Sequence, residues 1–154
     1  MSMRVQSAIF ANLIGALVAF VFAGLYFRAD LESIFNPVLT ETRTEYISRD
    51  GGVLRFRVEF YKARSGVGVL NSWKMDATGR RDGGEVFFTP ENCGGEPLTA
   101  GVSPVGTHQK RELCAAIPRS LAGKPFHVIG MTIYKLDSGF TVPVRFPEMA
   151  VPAE

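Results

Sequence analysis

The chain has 154 residues, of which 46% are hydrophobic and 21% charged, and its formal net charge is +2. This length provides room for one domain and an additional segment, and the composition is within the ordinary globular range. The charge is nearly balanced, and no nucleic-acid partner is expected, because such binding would need stacking aromatic residues among the basic ones. The apolar residues are concentrated near the N-terminus.

The segment 8–27, AIFANLIGALVAFVFAGLYF, contains no charged residue. As a helix it would measure about 30 Å, the thickness of the hydrocarbon core of a bilayer. A cleaved signal peptide has a shorter apolar run followed by a small-x-small cleavage site. VFAG at 21–24 is similar to such a site, but the run ends in the bulky residues Leu25, Tyr26 and Phe27. We therefore predict a transmembrane helix over 8–27, with the signal peptide as the alternative.

The basic groups beside this segment predict its orientation. Arg4 and the amino terminus precede it and Arg28 follows it, so the positive-inside rule places the N-terminus in the cytoplasm. The chain is thus predicted to be a single-pass membrane protein whose C-terminal domain is extracytoplasmic, either periplasmic or extracellular. The predicted divisions are a cytoplasmic tail (1–7), the transmembrane helix (8–27), a juxtamembrane linker (28–40), an exported β-sandwich domain (41–147) and a loose C-terminal tail (148–154).

Small residues recur at every fourth position of the predicted membrane helix. Residues four apart share one helix face, and a ridge of small side chains lets a second helix pack closely. The expected partners are the lipid bilayer and either other membrane subunits or a copy of this chain. The predicted helix-packing residues are Ser7, Ala11, Asn12, Gly15, Ala19 and Ala23.

After this segment the hydrophobic pattern becomes an alternation typical of β-strands. In VLRFRVEFYK, Leu54, Phe56, Val58 and Phe60 share one face, and the preceding TEYISRDGG ends in a turn signal that predicts a β-hairpin. VGVLNSWKMDA is a further predicted strand, in which Trp73 is the expected core anchor.

Three later stretches also predict strands. EVFFT is short and stops before a proline, and KPFHVIGMTIYKL is apolar on both faces, which favours a central position. FTVPVRF contains Pro143, which cannot donate to a ladder and therefore indicates an edge strand.

Six or seven short strands predict a mainly-β domain, an antiparallel β-sandwich, with a small β-barrel as the alternative. The stretch IPRSLAGKPFHVIGMTIYKL resembles the late hairpin corner of immunoglobulin-like or fibronectin-type sandwiches, where a Leu and a Gly precede a long strand with alternating apolar residues. The resemblance implies an immunoglobulin-like or fibronectin-type topology. The cysteines depart from the immunoglobulin pattern, since neither lies on the two long strands with Trp73 between them.

Cys93 and Cys114 are the two cysteines of the chain. A redox pair usually has C-x-x-C spacing, and zinc ligands usually come in close pairs. Neither spacing occurs here, and the two histidines, His108 and His127, are also isolated, so no metal and no cofactor are expected. In an oxidising compartment we predict a Cys93–Cys114 disulfide that closes a long loop without a clear strand and is worth about 3 kcal/mol.

Six basic residues could form a basic surface if their strands present them on one outward face, where an acidic partner or anionic headgroups could bind. Ordinary charged outward positions are the alternative interpretation. The six are Arg43, Arg55, Arg57, Lys74, Arg80 and Arg81.

No catalytic or nucleotide-binding motif occurs in the sequence, so no enzymatic activity is expected. The predicted function is a structural or accessory subunit of a membrane-associated assembly, in a bacterial envelope or a phage or viral membrane. The alternative is a membrane-anchored extracytoplasmic binding module that recognises a ligand, glycan or partner protein through the loops of 91–116.

Overall fold

The computed structural model describes the backbone of residues 3–26, 28–77, 84–94 and 103–154, and within the helices the side chains of 13–24, 28, 32, 34 and 35. Helix α1 spans Met3–Tyr26 and helix α2 spans Arg28–Phe35. The Asn36 amide closes the last turn of α2 on the Glu32 carbonyl at 3.0 Å. Pro37 then disfavours a helical conformation at the residue before it, so the helix ends there.

The membrane anchor predicted over 8–27 is wrong. Within the ranges given above, no helix combines the length and the apolarity that a bilayer crossing requires. The single-pass topology, the cytoplasmic N-terminus and the extracytoplasmic location were all derived from that span and are wrong with it.

The rest of the described chain is an antiparallel β domain of two sheets. Sheet A has the strand order β1-β2-β6-β5, and sheet B has the order β4-β3-β7-β8, with β9 also paired to β7. With β4 counted as an additional strand, these are the strand orders of the two sheets of immunoglobulin-type sandwiches. The strands are β1 (Leu39–Asp50), β2 (Val53–Lys62), β3 (Val67–Ala77), β4 (Val86–Phe88), β5 (Glu91–Asn92), β6 (Thr107–Ala116), β7 (Phe126–Lys135), β8 (Thr141–Arg145) and β9 (Met149–Val151).

The hairpin predicted around the Asp-Gly-Gly turn is present as β1 and β2. Gly51 and Gly52 have φ angles of 56° and 78°, a left-handed conformation that glycine adopts without the usual steric cost. The predicted central strand is β7, which pairs with β3, β8 and β9. The strand with Pro143 is β8, whose partner is β7.

Three strands are missing from the sequence-based prediction, the first of which is the two-residue β5 at the start of the expected loop. Residues 107–116, expected to belong to a loop, form β6 and pair with β2 along their whole length. The inward side chains in the first half of β6 are polar, so the apolar alternation that marks a strand is absent there. The tail 148–154, expected to be loose, contains β9, in which Met149 and Val151 are buried.

The apolar core lies between the two sheets. Phe56 of sheet A contacts Trp73 of sheet B with 5.2 Å between ring centroids, and Trp73 stacks on Phe146 at 5.3 Å. The Trp73 indole lies directly over Gly130 of β7, where a Cβ atom would come within 2.5 Å of the ring. A glycine at this position is what allows the indole to lie flat against sheet B.

Candidate functional site

The core opens into a cavity at the end of the sandwich where β2 stops and β6 begins. This cavity has a volume of about 50 Å³ and is partly open to solvent. Side chains from both sheets and from the segment before β6 form its walls. The lining residues are Val58, Phe60, Lys62, Asn71, Trp73, Ser103, Arg111, Leu113, Thr132, Tyr134 and Phe146.

The polar side chains of the cavity face inward because they occupy the same alternating positions of their strands as the buried apolar residues. On β2 the buried phase that includes Phe60 continues to Lys62, and on β6 the phase that includes Leu113 also includes Arg111. On β7 the same applies to Tyr134. Alternate residues of a strand point to the same face, so the inward row changes from apolar to polar along each strand.

Lys62 is the charged centre of the cavity and is only 2% exposed. Its Nζ donates to the Gly66 carbonyl at 2.8 Å and lies 4.3 Å from the centre of the Tyr134 ring. Burial, assisted by the positive charge of Arg111, lowers the pKa of Lys62 below its ordinary value. Burial also raises the pKa of the Tyr134 hydroxyl, which therefore stays a neutral donor.

Arg111 is the second cation of the cavity. Its Nη2 donates to the Ser103 hydroxyl at 2.9 Å, and the guanidinium carbon lies 6.0 Å from the centre of the Phe60 ring. No Asp or Glu in the described part of the chain lines this cavity. The two cations therefore share one space without a carboxylate between them.

Asn71 is oriented by its neighbours. Its Oδ1 accepts hydrogen bonds from Trp73 Nε1 at 2.7 Å and from the Thr132 hydroxyl at 3.0 Å. An indole nitrogen can only donate, so the amide oxygen must face Trp73 and the amide nitrogen takes the other position. Asn71 thus lines the cavity with its amide oxygen already engaged.

The disulfide between Cys93 and Cys114 lies on the same strand as Arg111. It joins the residue after β5 to β6, with 5.0 Å between the two Cα atoms, and these are the two residues that the sequence predicts to pair. The loop that it closes includes Ser103 and Arg111. The covalent link therefore restricts the segment that forms one wall of the cavity.

The outward face of sheet A carries three of the residues predicted to form a basic surface: Arg43, Arg55 and Arg57. The register places Glu59 opposite Arg43 and Glu112 opposite Arg57, so charges of opposite sign alternate across the sheet. The face is therefore mixed in charge.

The best-connected residue on this face is Arg57. It donates to Glu45 at 3.1 Å and to Glu112 at 2.8 Å. The Glu112 hydrogen bond is the main cause that raises the pKa of Arg57, and the Arg57 hydrogen bond in turn lowers the pKa of Glu112. On the neighbouring row, the hydrogen bond from Lys110 lowers the pKa of Glu59.

The remaining predicted residues do not join this face or the cavity. Lys74 lies on sheet B and pairs with Glu85, whereas Arg80 and Arg81 fall outside the described residues. In α1, Gly15, Ala19 and Ala23 are exposed, and the side chains of Ser7, Ala11 and Asn12 fall outside the described residues. Helix association through this ridge stays a prediction.

The two histidines are far apart in the fold. His108 is on the outward face of β6, 4.9 Å from the Tyr61 ring by centroids, and His127 of β7 is paired with Glu148. The described side chains include no cluster of three or more His, Cys, Asp or Glu residues that could hold a metal ion.

The sequence-based prediction includes the segment 91–116 but misses the residues that define the cavity. One signal was available. The apolar phase of VLRFRVEFYK runs through Leu54, Phe56, Val58 and Phe60, and its next member is Lys62. A lysine at the end of a buried phase indicates a buried cation.

No family model matches the chain, and no curated protein matches it. Among solved structures, the structural-genomics target SoR45 has 15% identity and a TM-score of 0.46, over 75% of this chain and 87% of that chain. A Bordetella pertussis protein provisionally described as ApaA has 14% identity and a TM-score of 0.47, over 75% of this chain and 93% of that chain. At these values neither likeness supports a conclusion about this chain.

Proposed function

We propose that this domain is a binding module whose ligand enters the cavity between the two sheets. The observation that carries the proposal is Lys62, a lysine 2% exposed whose ammonium has a single carbonyl as its hydrogen-bond acceptor. Burying a charge is unfavourable unless it is paired, and a well-packed apolar side chain at such a position is often equally or more stabilising. A lysine that is buried here with one carbonyl acceptor is best explained by something that it binds.

The position of the cavity supports the same proposal. It lies at an end of the sandwich, where strands stop and connecting segments begin, and Ser103 contributes to its wall. Binding residues are often placed at such loop-bearing ends of a rigid β scaffold. The predicted recognition segment 91–116 contributes Ser103 and Arg111 to this end.

The test is to map binding with amide chemical shifts. The ¹⁵N-labelled protein is titrated separately with inorganic phosphate, glucose, tetramethylammonium and benzene, which represent anionic, neutral polar, cationic and apolar ligands. We expect at least one of them to shift amides of the residues that line the cavity, in a saturable manner. Shifts confined to other surfaces, or none with any ligand, would contradict the proposal.

A blocking variant makes the test specific. Ser103→Trp places a large side chain in the wall of the cavity and is expected to abolish the saturable shifts. The matched control is Ser120→Trp, the same replacement at an exposed residue of the short 3-10 helix Arg119–Leu121, which should bind like the wild type. The prediction that the chain is a subunit of a larger assembly stays a prediction, and binding confined to outer sheet faces would favour it.

A further inference from the structure

We infer that the ligand group in this cavity is an oxyanion, the carboxylate or phosphoryl group of a small molecule. This inference rests on the proposed binding function and specifies its ligand. It is carried by the hydrogen-bonding groups, the charges and the size of the cavity.

The cavity presents donors whose acceptors are incomplete. The Lys62 ammonium has three N–H donors and uses one on Gly66. The Arg111 guanidinium has five and uses one on Ser103. The Asn71 amide brings two further N–H donors, and its oxygen already serves Trp73 and Thr132.

Two acceptors of the cavity, in contrast, are already engaged. The Asn71 oxygen receives two hydrogen bonds, and the Ser103 hydroxyl receives one from Arg111. A ligand that complements this set must bring acceptors. Carboxylate and phosphoryl oxygens only accept hydrogen bonds when ionised, and they form the strongest ones with lysine and arginine.

The charges agree with the donors. Lys62 and Arg111 give the cavity two positive charges, and no carboxylate of the described residues lines it. The two positive charges repel each other, and this repulsion contributes to the lowered pKa of Lys62. An anion between the two would remove this repulsion, whereas a cation would add to it.

The volume restricts the size of the bound group. A water molecule needs about 10–15 Å³ of such space, so the cavity of about 50 Å³ holds the equivalent of a few water molecules. This matches a carboxylate or a phosphoryl group, and the remainder of a larger ligand would extend through the opening. Phe60, Trp73 and Phe146 form an apolar wall beside the charged one, which suits the first carbon atoms next to the anionic group.

The experiment measures binding of sodium acetate, inorganic phosphate and methyl phosphate at constant ionic strength, with sodium chloride as the reference salt. Isothermal titration and the midpoint of thermal unfolding are recorded for the wild type, Lys62→Met and Arg111→Gln. We expect acetate or the phosphates to bind the wild type in a saturable manner and at least tenfold more weakly to either variant. Arg55→Gln, which removes an exposed arginine from the outer face of sheet A, is the matched control and should bind like the wild type.

The outcomes separate the two proposals. Acetate binding without phosphate binding assigns a carboxylate ligand, and the reverse assigns a phosphoryl ligand. Equal anion binding by the wild type, Lys62→Met and Arg111→Gln overturns the inference. A neutral or apolar ligand that shifts the cavity amides while all three anions fail would overturn the inference but leave the binding module intact. Failure of every ligand class at the cavity would overturn both.

Discussion

Each end of the sandwich buries a cation, but the two cations differ in the number of acceptors that surround them. At the closed end, Arg49 has a side chain 2% exposed and donates to the carbonyls of Leu121, Lys124 and Pro152 at 2.9, 2.8 and 3.3 Å. At the open end, the Lys62 ammonium has one carbonyl acceptor. The Arg49 Nε atom makes no hydrogen bond, but it lies 3.3 Å from the Glu154 carboxylate. Arg49 is thus held by three carbonyls and a carboxylate and joins separate parts of the chain, whereas the Lys62 ammonium has donors left for a ligand.

The same strands build both ends. On β2 the inward row starts with Leu54 and Phe56, which are fully buried, and it ends with Lys62. The closed end is covered by β9 and by the 3-10 helix, so its core is sealed, but the open end has a cavity in the corresponding place. The contrast predicts that substitutions at the closed end change stability and that substitutions at the open end change ligand response.

The largest effect is expected from Phe56→Ala at the closed end. Removing a fully buried aromatic side chain that contacts Trp73 should lower the free energy of unfolding by about 3–5 kcal/mol. Urea unfolding monitored by circular dichroism measures this. Phe87→Ala, at a position 68% exposed, should change stability by less than about 0.5 kcal/mol, and comparable losses for the two variants would contradict the assignment of the core.

Removing the disulfide should have the next largest effect and should affect both properties. Cys93→Ala combined with Cys114→Ala should lower the free energy of unfolding by about 3 kcal/mol, because the unfolded chain is no longer constrained. It should also weaken ligand binding, since Ser103 and Arg111 lie within the closed loop. Wild-type protein under a reducing agent should match the variant, and unaltered stability in both would refute this role.

At the closed end, Arg49→Met should lower the free energy of unfolding by about 1–3 kcal/mol, because one or more carbonyls lose a charged donor. The loss should be confined to stability. Hydrogen exchange should show faster opening of β9, since Arg49 also contacts Pro152 and lies 3.3 Å from the Glu154 carboxylate. A change in anion affinity would show that the two ends are not independent.

At the open end, Lys62→Met should not lower the free energy of unfolding, in contrast to Arg49→Met. Without ligand, the free energy of unfolding at pH 7 should equal that of the wild type or exceed it by about 1 kcal/mol, since an unmatched buried charge is removed. The folded pKa of Lys62 is lowered, so the unfolded state binds more protons between the folded and unfolded pKa values, and wild-type stability rises with pH there. The difference between the two proteins should therefore narrow from pH 7 to pH 10. A large loss of stability at pH 7 would indicate a structural lysine.

The smallest effect is expected on the outward face of sheet A. Arg57 lowers the pKa of Glu112 below its ordinary value of 4.5, so this carboxylate stabilises the fold at neutral pH and the contribution disappears as pH falls through the lowered folded pKa. Unfolding midpoints between pH 7 and pH 3 should fall less steeply in Glu112→Gln than in the wild type. High salt screens the ion pair of the wild type and should reduce this difference between the two proteins. Parallel profiles would show that this exposed ion pair contributes nothing measurable.

The sequence predicts the sheets better than the site, for a physical reason. Alternation of apolar and polar residues identifies β2 and β3, because in these strands one face is buried and apolar, and an apolar run on both faces identifies the central strand β7. The first half of β6 has polar residues on both faces, Arg111 inward and His108, Lys110 and Glu112 outward. The pattern therefore resembles a loop, and the strand that carries Arg111, one of the two cations of the cavity, is missed.

In the N-terminal segment the sequence pattern predicts a feature that the structure does not support. An uncharged run satisfies the composition of a membrane span, but composition alone does not establish a crossing, and the described part of α1 does not support one. The disulfide was predicted for an oxidising compartment that was derived from the same span, yet the structure contains it. With two cysteines in the chain, one intramolecular pairing is available, and the register that places Cys93 beside Cys114 is set by β5 and β6.

Trp73, held flat over Gly130 and hydrogen-bonded to Asn71, has a consequence for how this protein can be studied. It is the only tryptophan in the chain, and its indole forms part of the cavity wall. A group that binds the Asn71 amide would disturb the acceptor of the indole N–H and change the polarity around the ring. Ligand entry would thus be reported by the intrinsic fluorescence of a single residue, with no label attached.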